Sequence, residues 1–222
     1  MPDTTVFLFD VDNTLLDNDA VAADLRAYLT EHFGAERQQR YWDEFEQLRR
    51  ELGYADYLGA LQRFRLAYPH DTHLLMVSDW LIDYPFHERL YPRVLDLVER
   101  TRAHGHPVIL SDGDVVFQPR KIRRSGLSDA FRGDVLVYIH KEQELEDVER
   151  RYPAERYVLV DDKVRILAAV KEVWGDRVTT IFPRQGHYAL DEELVAEYPA
   201  PDVTVERIGD LLDLEGQRSS RT

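Results

Sequence analysis

Cysteine is missing altogether from the 222 residues, which excludes disulfides, thiolate nucleophiles and Cys-ligated zinc or iron–sulfur sites. Its absence agrees with a reducing compartment. The first residues, Met1-Pro2-Asp3-Thr4-Thr5, offer neither the basic start nor the apolar stretch of a secretory signal, so a cytoplasmic location is expected. No apolar run approaches the roughly 20 residues of a bilayer span, and no membrane partner is expected. Positive charge is also scarce: 28 Lys+Arg stand against 42 Asp+Glu, a formal net charge of -14. That balance argues against a nucleic-acid-binding surface. A phosphate ester is still an admissible ligand, because a metal ion and a few local cations can reverse the field inside one cleft. Repeats and low-complexity segments are lacking too. What is present, 44% hydrophobic and 32% charged residues, describes an ordinary globular chain of one large domain, or one domain with an insertion.

Val6-Phe7-Leu8-Phe9 is a continuous apolar run that stops at Asp10, as a strand buried on both faces of a parallel sheet would. Similar runs stand at 108–110, 135–139, 157–160 and 178–182. Helical patterns lie between them. Leu90, Val94, Leu97 and Val98 share a face before Gly105 and Pro107, and Ile166, Leu167, Val170 and Val173 do so before Gly175. The alternation predicts an α/β class, a Rossmann-like core with a mostly parallel sheet. From about Asn18 to Phe86 the alternation breaks into helical spacing alone, with Leu25, Tyr28 and Leu29, then Tyr41, Phe45, Leu48 and Leu52. An all-helical cap over 18–86 is therefore expected, inserted into a core of 1–17 and 87–216. A frayed tail is expected at 217–222. Trp42, Tyr41 and Phe45 read as cap core, and the break at Gly53 to Tyr57 as a loop facing the cleft.

Ligands of open α/β sheets bind at the carboxyl ends of the strands. There the first strand is followed by Asp10-Val11-Asp12-Asn13-Thr14, the second by Ser111-Asp112-Gly113, the third by His140-Lys141 and the fourth by Asp161-Asp162-Lys163. Stability alone would not crowd three or four carboxylates on one edge, because like charges repel. A divalent cation resolves the repulsion, and all-oxygen ligands beside a phosphate make Mg²⁺ the expected cofactor. A calcium loop does not fit, since Thr14 and Leu15 stand where an EF-hand needs other residues. His104 and His106 bracket Gly105 at a helix-to-strand turn on the opposite edge, a spacing that suits a turn better than a metal. Arg184-Gln185-Gly186-His187-Tyr188 follows the fifth strand on the active edge, where it could meet substrate or cap.

These residues, in this order, resemble the motifs of the haloacid dehalogenase (HAD) superfamily. Phe9-Asp10-Val11-Asp12-Asn13-Thr14-Leu15 is similar to its D-x-D-x-T motif, Val108 to Gly113 to the second motif, Lys141 to the third-motif lysine and Val158 to Asp162 to the acidic fourth motif. Leu90 to Val94 and Lys121 to Leu127 resemble the cap-to-core return and the helix after motif two. The helical insertion resembles a C1 cap.

The resemblance implies an enzyme, a hydrolase of phosphatase type acting on a small soluble phosphate ester through an aspartyl-phosphate. Asp10 is then the nucleophile and Asp12 the acid/base. Mg²⁺ is held by Asp10, the Asp12 backbone carbonyl and Asp162 or Asp161. Ser111, Asp112, Gly113 and Lys141 bind the phosphoryl group, with Lys141 also catalytic, and Thr14 orients Asp12 or its loop. Lys163 competes with Lys141 for the third-motif role; its place suits a helix start. A dehalogenase needs neither Asp12 nor the Asp161-Asp162 pair. A phosphomutase differs only in what accepts the phosphoryl group. A binding protein on the same scaffold would be expected to have lost Asp10, Asp12 or Lys141.

Overall fold

The computed structural model describes residues 5–213; the tail expected at 217–222 lies outside the described residues. Strand β1 (Thr5–Phe9) is followed by helices α1 (Asn18–Leu52), α2 (Tyr57–Ala67), α3 (Leu74–Asp83) and α4 (Val94–Thr101). Then come β2 (His106–Asp112), α5 (Phe117–Arg124), α6 (Leu127–Ala130), β3 (Val135–Tyr138) and α7 (Leu145–Arg151). The chain closes with β4 (Arg156–Val160), α8 (Val164–Trp174), β5 (Val178–Pro183), α9 (Gly186–Leu190), α10 (Glu192–Ala196) and β6 (Val203–Val205). All pairings are parallel, in the order β3-β2-β1-β4-β5-β6.

The five apolar runs of the sequence are the first five strands. β6 is the difference: three residues long, with only Val205 buried, it carries no apolar run to announce it. Leu90 also lies outside α4, in a bridge to Leu16. Along β1, Val6 and Leu8 enter one apolar layer and Phe7 and Phe9 the other, as a strand covered on both faces requires. Leu8 stands beside Val108 and Leu159, and Phe9 beside Ile109 and Val160. In that register the residues after β1 and β4 and those ending β2 emerge together. The strand order reverses direction at β1, so the site occupies the crevice where such sheets bind ligands.

The stretch between β1 and β2 is helical, as its spacing predicts. α1 is two limbs folded at Gly34, whose φ of 80° and ψ of 164° break the helix, a conformation that glycine adopts without steric cost. Val21, Leu25 and Leu29 of the first limb and Tyr41, Trp42, Phe45 and Leu48 of the second are buried. These limbs share one apolar cluster with Phe9, Ile109 and Phe117 of the sheet layer. Phe117 joins the two, with ring centroids 5.3 Å from Tyr57 and 5.8 Å from Phe86.

Candidate active site

Asp10 leaves β1 with its backbone N–H bonded to the Val160 carbonyl at 2.9 Å. Its carboxylate, and those of Asp161 and Asp162 at the end of β4, are all buried, with one oxygen of each within 4.8 Å of the others. Lys141, one per cent exposed, reaches into them from the end of β3. Its Nζ lies 2.5 Å from Asp10 Oδ1 and 2.6 Å from Asp161 Oδ2. Burial opposes the charge on Lys141, but Asp10, Asp161 and Asp112 together hold its pKa well above the ordinary lysine range. Burial also drives the Asp161 pKa up to about 6, against the pull of Lys141. It drives Asp162 well above the usual carboxylate range.

Lys141 pairs with two of the three carboxylates, and the hydrogen bonding shows the shortfall. Asp10 Oδ2 and both carboxylate oxygens of Asp162 are buried with no partner. Orphaned polar oxygens of this kind are costly when buried, and three carboxylates converging with too few donors to satisfy them form a ligand set for a hard divalent cation. Asp10, Asp161 and Asp162 thus fit such an ion. One consequence is measurable without turnover: metal-free Asp162→Asn should be more stable than the parent by about 1–3 kcal/mol, because a carboxyl whose charged form burial disfavours gives way to a neutral amide. Any rise in melting temperature that a divalent cation gives the parent should be lost in the same variant. A metal-free Asp162→Asn protein that melts lower than the parent, and that a divalent cation still stabilises as much as it does the parent, would contradict this assignment.

Around this centre the loops are fixed by named contacts. The Thr14 hydroxyl accepts from the Asp162 backbone N–H at 3.0 Å; its observed bond is to the Asp162 loop rather than to Asp12. Asp112 Oδ1 accepts from the Lys141 backbone N–H at 2.7 Å, so its carboxylate anchors the lysine loop, and burial raises its pKa. A Cβ on Gly113 would come within 2.6 Å of the Gln118 Cβ. Lys163 starts α8, as its place in the sequence suits. Burial opposes its charge while Asp162, Asp10 and Asp161 raise its pKa, and its Nζ lies 5.2 Å from the Tyr188 ring.

Asp12 takes partners of its own, apart from Lys141. Both of its oxygens accept from Lys121 Nζ, at 2.7 and 2.9 Å, and Oδ2 accepts from Gln118 Nε2 at 3.3 Å. Gln118 Nε2 also reaches Ser111 Oγ, at 2.9 Å. Asp12, Asp112, Asp162 and Lys163 open onto a cleft of about 770 Å³ whose other wall is the insertion, with Arg26, Trp42, Arg49, Arg50 and Tyr54. The segment after β5 closes one end. Tyr188 accepts a short hydrogen bond from Arg49, His187 Nδ1 lies 2.6 Å from Asp19 Oδ1, and Gln185 Nε2 donates to the Thr14 carbonyl at 3.1 Å.

The profile of the haloacid dehalogenase-like hydrolases matches residues 4–174. The chain belongs to that family. A haloacid dehalogenase-like hydrolase from Burkholderia xenovorans LB400 is 63% identical, with 96% of this chain and 99% of that one covered and a TM-score of 0.91. L-2-haloacid dehalogenase from Xanthobacter autotrophicus, solved with chloropropionic acid covalently bound, is 21% identical over 96% and 98% of the chains, with a TM-score of 0.62. The HAD hydrolase YfnB of Bacillus subtilis, solved bound to magnesium, is 16% identical over 96% and 98%, with a TM-score of 0.65. The last two share the fold at these identities. No curated protein matches the chain.

In this HAD-like hydrolase the fold gathers Asp10, Ser111, Asp112, Lys141, Asp161 and Asp162 at one edge of the sheet, and no described helix is long and apolar enough to cross a membrane. Sequence reasoning missed Lys121 and Gln118. The available signal was α5 itself: Phe117, Gln118, Lys121 and Ile122 are its buried positions, so a lysine occupies the helix's inward stripe. His104 and His106 form no metal group among the described residues; His106 instead faces Asp134 at 3.1 Å.

Proposed function

We propose that the protein is a Mg²⁺-dependent phosphomonoester hydrolase acting on a small, soluble phosphorylated metabolite through an aspartyl-phosphate on Asp10. The observation that carries this reading is Asp12, a second carboxylate two residues from the nucleophile and open to the cleft. A haloacid dehalogenase has no departing alkoxide to protonate and no use for it. Residues 18–86 act as the cap domain on a core of 1–17 and 87–216, and enclosure by that cap favours a small ester over a phosphoprotein. Arg26, Arg49, Arg50 and Lys163 on the cleft walls suit an anionic ligand despite the protein's net charge of -14.

Asp10 attacks phosphorus with its carboxylate oxygen while the ester P–O bond breaks. The bonding pair leaves on the alcohol oxygen, which takes a proton from Asp12. Water then attacks the aspartyl-phosphate, gives its proton to Asp12 and releases inorganic phosphate with Asp10 restored. Lys141, Ser111 and the backbone at Asp112 and Gly113 hold phosphoryl oxygens, and Lys141 offsets charge that develops on them. Asp10, Asp162 or Asp161, and the Asp12 carbonyl would hold Mg²⁺, which offsets repulsion between nucleophile and phosphate when bound. The test is phosphate release from a panel of sugar phosphates, phosphorylated acids and nucleotides. Release is expected with Mg²⁺ and is lost in excess chelator. Undiminished release in chelator would refute the metal assignment.

A further inference from the structure

We infer that Lys121 is a positioning residue for phosphoryl transfer: it holds the Asp12 carboxylate at the cleft mouth and ties it, through Asn18 and Tyr57, to the helical insertion. The inference rests on the phosphatase reading and goes further, because it makes one side chain of α5 responsible for the orientation of the acid/base.

The ammonium of Lys121 has three N–H bonds to place, and all three are used. Two go to Asp12, and the third goes to Asn18 Oδ1 at 3.0 Å. Asn18 opens α1, and its amide donates to the Tyr57 hydroxyl at 3.3 Å, at the start of α2. The grip on Asp12 is therefore complete only while the first turns of both helices are seated. Gln118, one turn earlier on α5, adds a longer bond of 3.3 Å to one Asp12 oxygen. On its own that contact leaves the carboxylate free to rotate.

A salt bridge that merely stabilised the fold would be a poor use of this position. Lys121 is one per cent exposed and lies beside the Phe117 and Tyr57 rings, its Nζ 5.3 and 5.9 Å from their centroids. An apolar residue would pack there without the desolvation cost of an ammonium, and such replacements of buried pairs are often neutral or favourable. Asp12, by contrast, keeps a side-chain exposure of 22% and lines the cleft. The pair is sealed on the lysine side and open on the carboxylate side. That geometry presents a held carboxylate to a ligand. During the reaction Lys121 keeps its own protons; the proton that reaches the departing oxygen comes from Asp12, and the proton of the attacking water returns to it.

The test compares the full-length parent with Lys121→Met and Lys121→Arg on phosphate monoesters whose leaving groups run from p-nitrophenol to simple alcohols. Lys121→Met should lose on the order of 100-fold or more in kcat on alkyl esters, the range of a positioned acid/base, while KM shifts by roughly threefold or less. Its rates should depend more steeply on leaving-group acidity, and its burst of p-nitrophenol should stay near the parent's. Lys121→Arg should recover part of the loss. Asn18→Ala, which frees only the third N–H, should steepen the dependence more mildly and serves if Lys121→Met does not fold. A parental leaving-group dependence in these variants, or an equal loss across the series with no accumulation of phosphoenzyme, would overturn the role given to Lys121. Inactivity of the parent on every ester would instead remove the phosphatase reading beneath it.

Discussion

Asp10→Asn should lower kcat by on the order of 10⁴-fold or more, the scale of losing a covalent nucleophile that works as a unit with its neighbours. The fold should survive. Lys141 would keep Asp161 at 2.6 Å, so no buried ammonium is left alone, and one of three crowded carboxylates becomes neutral. An amide oxygen can still ligate a cation, so added Mg²⁺ should not restore turnover. Activity and thermal unfolding measured together decide the matter. Rescue by millimolar Mg²⁺ would mean that Asp10 acts as a ligand and not as a nucleophile.

Lys141→Met should be damaging in both respects. The ammonium is the one group within ion-pair distance of Asp10 and Asp161 among the described residues, and removing one partner of a buried charge cluster typically costs 3–5 kcal/mol, or roughly that. Part of the cost is relieved when the carboxylates take up protons, which the raised pKa values of Asp161 and Asp162 already favour. Adding Mg²⁺ should therefore stabilise this variant more than it does the parent, since the cation replaces the missing charge. Turnover should nonetheless remain about 10³-fold down, because the group that offsets phosphoryl charge is gone. Chemical denaturation with and without Mg²⁺, alongside kcat, separates the two effects. A variant as stable as the parent and still active would show that Lys163 carries the role instead.

Features set by local chemistry were legible in the sequence. Val6 to Phe9 announce a doubly covered strand by their unbroken apolarity, and Asp10, Ser111, Lys141 and Asp161 announce themselves by following such runs. The helical insertion shows in its spacing. What was hidden depends on contacts between distant residues. Lys121 meets Asp12 across 109 positions, and nothing near either residue marks the partner except a lysine on an inward stripe. Gln185 holds the Asn13 and Thr14 carbonyls and accepts from the Ile208 N–H; the sequence places its segment on the active edge but marks none of these partners. The Thr14 hydroxyl bonds the Asp162 N–H at the end of the neighbouring strand, 148 positions away, a partner that its place in the motif does not name. β6 was hidden for a different reason: a three-residue edge strand buries too little to leave a pattern.

The choice between phosphate and halide chemistry is the point on which the function turns, since the fold is shared with an enzyme that binds chloropropionic acid covalently. One experiment addresses it. The purified protein is given p-nitrophenyl phosphate and L-2-chloropropionate in parallel, with Mg²⁺ or with excess chelator, and released phosphate and chloride are counted. The arrangement of Asp10, Asp12 and the Asp161-Asp162 pair predicts phosphate release that requires Mg²⁺, with no chloride. Chloride release that persists in chelator, without phosphate release, would contradict it.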